Sequence, residues 1–303
     1  MQTPINLQSL SNENKRKFKD SFDIIFTDCD GVLYDIRGVI NNARETINEL
    51  INEGKTIRYV TNNGSKSGAQ LAERLKNRGF MNVTEESVVC PVGLMLDYFR
   101  DKLPQGKSVY VIGPQVICDE LLWNKIHCFG PGRDEINEKH AENISKVEIE
   151  VPENVGAVVI ELDIHINYLK ILKAFTFLRN KDCLYVIMKP DETIPSGFGT
   201  QFPAAAAISA PITVASGRAP FLLGKPSAHL MEILKTMTND PKRALFVGDN
   251  LMADILMGHM CSFKTVLVLT GVHNLDDVEK YARSKNAEEL MYIPDFYTNS
   301  FRI

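Results

Sequence analysis

The sequence predicts an α/β protein with a parallel-sheet core and a second α/β unit inserted into it. Three observations predict this. Short apolar runs without polar alternation, read as strands buried on both faces, are each followed by a stretch of helical period. That alternation occurs near both ends of the chain. Between the two halves lies a long excursion with strands and helices of its own. The core is therefore read as Rossmann-like, split into residues 1–97 and 215–303 around an inserted cap at 98–214.

The first strand is the run Phe22-Asp23-Ile24-Ile25-Phe26, and Asp28-Cys29-Asp30-Gly31 follows it. The two acids stand at the carboxyl end of a strand, the edge at which open α/β sheets bind ligands. Gly31 allows the chain to turn there. A helix over 40–53 carries Ala43, Ile47, Leu50 and Ile51 at helical spacing and stops at Gly54. The strand Thr56–Val60 ends in Thr61-Asn62-Asn63-Gly64, and a helix spans 67–78. The excursion holds strands at 108–112, 157–161 and 184–188, helices at 168–178 and 204–216, and a polar loop over 130–153. Trp123 is assigned to the cap core. After it, Gly224-Lys225-Pro226 opens a helix, Ala244–Val247 is a strand running into Gly248-Asp249-Asn250, and a helix covers 252–260 with Met252, Met257 and Met260 in the core. Thr265–Leu269 is a further strand, and Tyr292-Ile293-Pro294 a last short one.

The chain has 303 residues, enough for two domains, and its 44% hydrophobic and 24% charged residues are ordinary for a globular protein. A net charge of −4 offers no basic excess for a general nucleic-acid surface. No apolar run is long enough to span a bilayer, and the polar N-terminus lacks the apolar stretch of a secretory signal. The six cysteines are scattered without Cys-x-x-Cys spacing, so they are expected as reduced thiols in a cytoplasmic protein.

Asp28/Asp30, Thr61-Asn62, Lys225, and Asp249 with Asp254 are the polar signals that punctuate this pattern. Each has a plainer reading on its own: a turn, an N-cap, a solvated lysine, or a first-turn acid. Together on one sheet edge they suit phosphoryl chemistry. A carboxylate can attack phosphorus, a second acid can move protons, and a hydroxyl, an amide and an ammonium can hold the phosphoryl oxygens. A further carboxylate can complete a Mg²⁺ site, since that ion takes few protein carboxylates alongside water and phosphate.

The order Asp-x-Asp-Gly-Val-Leu, Thr-Asn-Asn, Gly-Lys-Pro and Gly-Asp-Asn-Leu-x-x-Asp-Ile resembles the haloacid dehalogenase superfamily of phosphatases, and Val268–Val272 resembles its following strand. The large insertion is similar to the bigger cap type, that of the 4-nitrophenylphosphatase, phosphoglycolate phosphatase and pyridoxal phosphatase branch. The resemblance implies a HAD-like fold with Asp28 as nucleophile and Asp30 as general acid/base. It implies Thr61 and Lys225 around the phosphoryl group with Asn62 beside it, and Mg²⁺ held by Asp28, the Asp30 carbonyl and Asp249. Asp254 would support the metal or Lys225. The implied activity is hydrolysis of a small cytosolic phosphomonoester through an aspartyl phosphate, with a small phosphorylated metabolite as partner and a homodimer formed through the cap. Neither nucleic acid nor membrane is an expected partner.

In the cap, Met188-Lys189-Pro190-Asp191 stands where relatives carry Thr-Asn-x-Asp, the segment Glu192–Phe198 is short, and Gly199-Thr200-Gln201 replaces Gly-Thr-Gly. Asp191 and Ile194 are the expected specificity residues, and an apolar Ile194 is more similar to the phosphoglycolate phosphatases. The altered loop also motivates a competing reading, a catalytically idle binding or scaffolding protein. The intact Asp28, Asp30, Lys225 and Asp249 argue against it.

Overall fold

The computed structural model describes residues 3–135, 149, 152, 154–195 and 200–303. The expected loop at 130–153 and the altered cap segment therefore lie partly outside the described residues. The chain divides into two compact units. One comprises Met1–Thr61, Gly68–Cys90 and Lys225–Ile303, the other Asn62–Ser67 and Pro91–Gly224. The expected joins at 98 and 215 fall within the helices Pro91–Lys102 and Ala205–Ser216, both of which belong to the second unit.

Runs of buried β-branched and aromatic residues make the first unit's sheet. Seven parallel strands lie in the order Ile5–Asn6, Phe296–Thr298, Lys264–Val268, Ala244–Gly248, Ile24–Thr27, Thr56–Val60, Val88–Val89. The strand Ile24–Thr27 sits where the two halves of the chain meet. Thr27 pairs with Val247 on one side and with Tyr59 on the other. Three consecutive strand ends thus bring Asp28, Asp249 and Thr61 to one edge, at the switch point of the topology.

Successive side chains go to opposite faces. On one face Ile25, Ile57, Leu245 and Val247 pack with Phe18, Ala43, Ile47, Leu50, Ala72 and Leu75 from the helices Asn12–Asp20, Ala43–Asn52 and Gly68–Lys76. Phe26 stacks on Phe263 with ring centroids 4.9 Å apart, and on Phe246 at 6.4 Å.

The second unit has its own parallel sheet in the order Phe221–Leu222, Leu184–Ile187, Val155–Ile160, Ser108–Ile112, Cys128–Phe129. Ala174, Phe177, Leu178, Ala205, Ile208 and Ile212 from the helices Tyr168–Leu178 and Ala205–Ser216 cover one face. Thr193–Pro195 and Gln201–Pro203 pair antiparallel, which the short apolar triplets did not signal. The buried Lys170 ammonium meets Asp163 at 2.5 Å.

Several expectations are corrected. The first strand is Ile24–Thr27, because the Asp23 carboxylate leaves the sheet for the Arg243 guanidinium. The last strand is Phe296–Thr298, just past Pro294, which has no N–H for a ladder. Tyr292 and Ile293 instead pack on Leu251, Ile255 and Val278. Trp123 is 87% exposed, because the helix Gln115–Trp123 buries Ile117, Cys118 and Leu121, leaving Trp123 on the opposite side. Met252 is exposed while Met257 is buried. The six cysteines are unbridged, five of them buried. Among the described residues no helix is long and apolar enough to cross a membrane.

Candidate active site

Asp28 follows directly on a fully buried strand, and its N–H donates to the Val247 carbonyl at 2.9 Å, which keeps the chain in line with its neighbour. Its carboxylate accepts from the Lys225 ammonium at 2.5 Å. The same ammonium donates to the Val60 carbonyl at 2.8 Å and to Asp254 Oδ1 at 2.7 Å. Lys225 is 2% exposed and reaches this position from just ahead of the helix Ala228–Thr236, whose first turn is capped by Ser227.

Asp254 is 1% exposed, so it is no solvated first-turn acid. While Oδ1 takes the Lys225 bond, Oδ2 accepts from the N–H groups of Asp249 (3.2 Å) and Asn250 (3.1 Å). A wide, π-helical turn over Leu251–Ile255 gives it this reach. The Asn250 carbonyl there accepts from both Asp254 N (2.8 Å) and Ile255 N (3.2 Å). Asn250 caps the turn, its side chain accepting from Met252 N and Ala253 N.

Asp249 ends its strand 4% exposed. Its Oδ2 accepts from Val272 N–H at 2.8 Å, and its backbone carbonyl accepts from His273 N–H at 3.1 Å. Two glycines close on the same carboxylate. A Cβ at Gly31 would stand 2.5 Å from Asp249 Oδ2, and one at Gly271 only 1.8 Å. Gly31 also has a φ of +83°, the left-handed region glycine enters readily. The segment 271–273 was missed as part of the site, because backbone N–H donors leave no mark in residue type.

One oxygen from each of Asp28, Asp249 and Asp254 lies within 4.8 Å of the others. Three buried carboxylates face a single buried ammonium. Burial pushes Asp28 well above the ordinary carboxylate range, Lys225 pulls it down, and Asp254 and Asp249 push it up again. Burial and then Asp254 raise Asp249 to about 7. Burial works against the Lys225 charge, but Asp254 and Asp28 outweigh it and hold the ammonium protonated. The donor set fits a hard divalent cation: an excess of buried carboxylate oxygen beside a cradle that any added Cβ would fill. Asp254 has both oxygens engaged, so Asp28 and Asp249 are the carboxylates to hold the ion.

The other expected residues fall as follows. Asp30 is exposed, one residue before the turn that Gly31 makes. Thr61 is 3% exposed at the end of the strand adjoining Asp28, its N–H donating to the Val89 carbonyl. Asn62 is half-buried and its amide donates to Asp191 at 3.1 Å, both residues belonging to the second unit. Ile194 sits opposite Phe202 in the antiparallel pair. Cys29 points into the core and is 1% exposed, so it takes no part in the charge cluster.

Comparison with known proteins agrees with this arrangement. The model of the haloacid dehalogenase-like hydrolases matches residues 25–125, and a HAD-hydrolase-like model matches 222–297. A glycerol-3-phosphate phosphatase of Gallus gallus is 31% identical over 96% of this chain and 93% of its own. Phosphoglycolate phosphatase 2 of Arabidopsis thaliana is 32% identical over 97% of this chain and 95% of its own. Among solved structures, NagD from E. coli K-12 is 26% identical and superimposes with a TM-score of 0.71 over 92% of this chain and 97% of that one. With its acid-bearing strand end, its buried lysine and its paired downstream acids in this order, the chain belongs to the haloacid dehalogenase-like hydrolases and is a phosphoric monoester hydrolase of that superfamily.

Proposed function

We propose that the protein is a Mg²⁺-dependent phosphatase that hydrolyses a small phosphomonoester through a phosphorylated Asp28. The observation that carries this reading is the Asp28 carboxylate held at 2.5 Å by the buried Lys225 ammonium, on the sheet edge it shares with Asp249 and Thr61. Asp28 attacks phosphorus and forms an acyl phosphate, while the bond from phosphorus to the ester oxygen breaks. Asp30 protonates the leaving oxygen and then takes a proton from the water that attacks the acyl phosphate. Orthophosphate leaves and the Asp28 carboxylate is restored. Thr61 and Lys225 hold the phosphoryl oxygens as charge develops on them. Bound Mg²⁺, held by Asp28, Asp249 and the Asp30 carbonyl, would offset the repulsion between nucleophile and substrate.

The relatives' names, a glycerol-3-phosphate phosphatase and a phosphoglycolate phosphatase, support a substrate class of small three- or two-carbon phosphate esters. The test is a panel of glycerol 3-phosphate, phosphoglycolate, pyridoxal 5′-phosphate, a sugar phosphate and 4-nitrophenyl phosphate, each with Mg²⁺ and with EDTA. Hydrolysis of at least one ester, lost in EDTA, is expected. A folded protein inactive on all five sinks the reading.

The metal site has a thermodynamic signature. The folded-state pKa of Asp249, about 7, lies above its ordinary 3.8, so metal-free folded protein binds the proton that the unfolded chain releases. Its contribution to stability is full below 3.8 and is lost as pH rises through about 7. A divalent cation needs the ionised carboxylate. Mg²⁺ is therefore expected to raise Tm more at pH 8 than at pH 5.5, by differential scanning fluorimetry. An equal rise at both pH values contradicts the assignment.

The exposed Trp123, Ile164 and Tyr168 of the second unit support a homodimer formed through that unit. Light scattering is expected to give twice the monomer mass at micromolar concentration, and a monomer there rejects the dimer.

A further inference from the structure

Thr61 and Lys225, the two residues assigned to the phosphoryl oxygens, are each peptide-bonded to a residue of the second unit, Asn62 and Gly224. Those two residues meet. A Cβ on Gly224 would lie 2.6 Å from Asn62 Oδ1 and 2.9 Å from the Met188 carbonyl, so only glycine permits the approach. Gly224 N–H donates to that Met188 carbonyl at 2.9 Å. The other end of the Asn62 amide donates to Asp191 at 3.1 Å, three residues beyond Met188. The Asn62 side chain is thus held on one side by Gly224 and on the other by the carboxylate of the segment 188–191.

From this tie the geometry points to Asp191 as a positioning residue: through Asn62 it sets the spacing of Thr61 and Lys225 around the phosphoryl group. The inference rests on the phosphatase reading. It differs from the sequence-based expectation that Asp191 selects the substrate. Asp191 accepts from the side-chain amide beside Thr61, and its carbonyl accepts from Ala206 N–H, in the first turn of the helix Ala205–Ser216, at 3.0 Å. Two neighbouring features hold the same segment. Lys189 pairs with the buried Glu161 at 3.5 Å, and Gly64 lies over that carboxylate so closely that a Cβ would be 2.5 Å from Glu161 Oε2. Within the second unit, residues 62–64 therefore lie against Asp191 at one end and Glu161 at the other.

An acceptor, not a charge, is what the Asn62 amide needs. Asp191→Ala removes it; Asp191→Asn keeps an oxygen in place. The experiment measures kcat and KM on 4-nitrophenyl phosphate and glycerol 3-phosphate, with the Ki of orthophosphate, for wild type, Asp191→Ala, Asp191→Asn, Asn62→Ala and the Asn62→Ala/Asp191→Ala double variant. Misplacing the phosphoryl grip is expected to lower kcat/KM about 10- to 100-fold in Asp191→Ala. The factor should be the same for both esters, and the Ki of orthophosphate should rise with it. Asp191→Asn is expected to recover most of the loss, and the double variant to be no worse than the poorer single one. A loss that differs strongly between the two esters, failure of Asp191→Asn to recover, or strict additivity overturns the inference. Orthophosphate is also read through its effect on Tm, so the tie is tested even if wild type hydrolyses neither ester and the phosphatase reading itself fails. In that case an unchanged orthophosphate shift in Asp191→Ala overturns it.

Discussion

Asp28→Asn is expected to abolish turnover while leaving the protein folded. The amide has the shape of the carboxylate but cannot attack phosphorus, and loss of a covalent nucleophile costs about 10⁴-fold or more in kcat. Folding should tolerate the change, because burial already disfavours the Asp28 charge and Lys225 retains Asp254 at 2.7 Å. Two measurements check it: hydrolysis of 4-nitrophenyl phosphate, and acid-stable labelling of wild type but not variant during turnover of a phosphate-labelled ester. A variant keeping a hundredth of wild-type activity would show that another group attacks.

Lys225→Met carries the second large effect, and here stability falls with activity. The ammonium is 2% exposed and touches both Asp28 and Asp254, each buried. Removing the cation strands two carboxylates in a poorly solvated place, which costs about 3–5 kcal/mol. Without its downward pull Asp28 moves further up, so the deficit is deepest at high pH and shrinks as acid protonates Asp28. The urea midpoint at pH 8 and at pH 5 reads that sign. Activity is expected to fall about 10²- to 10³-fold, the usual loss for one donor to a developing oxyanion. Arginine is not expected to rescue it, since a guanidinium fork is larger than the three-acceptor slot around Nζ. A variant as stable as wild type at pH 8 would mean that the pair gains nothing from its cation.

The chemistry was legible because buried parallel strands are unbroken apolar runs, so a polar residue at their ends stands out. Asp28, Thr61 and Asp249 were found that way, and strand order then brought them to one edge. What was not legible depends on atoms rather than residue types. The N–H groups of Val272 and His273 hold Asp249 but could belong to any residue. Gly271 reads as a turn glycine, whereas its role is to leave room for a carboxylate. Asp254 was grouped with Asp249 in the sequence, and the two carboxylates lie within 4.8 Å of each other. Its two-sided grip on Lys225 and the strand end required the wide turn, and no periodicity signals that. Trp123 was misread for a related reason: apolar character says that a side chain prefers burial, not that a surface is there to bury it.

The wide turn at Leu251–Ile255 makes the stretch from Asp249 to Asp254 a fixed length standard. An ordinary helix absorbs a one-residue insertion by rotating everything downstream through about 100°. Here the first acid is anchored at a strand end and the second is bonded back to that end. The slack of the extra residue is already used to bring them together. The stretch between the two acids is therefore fixed in its count.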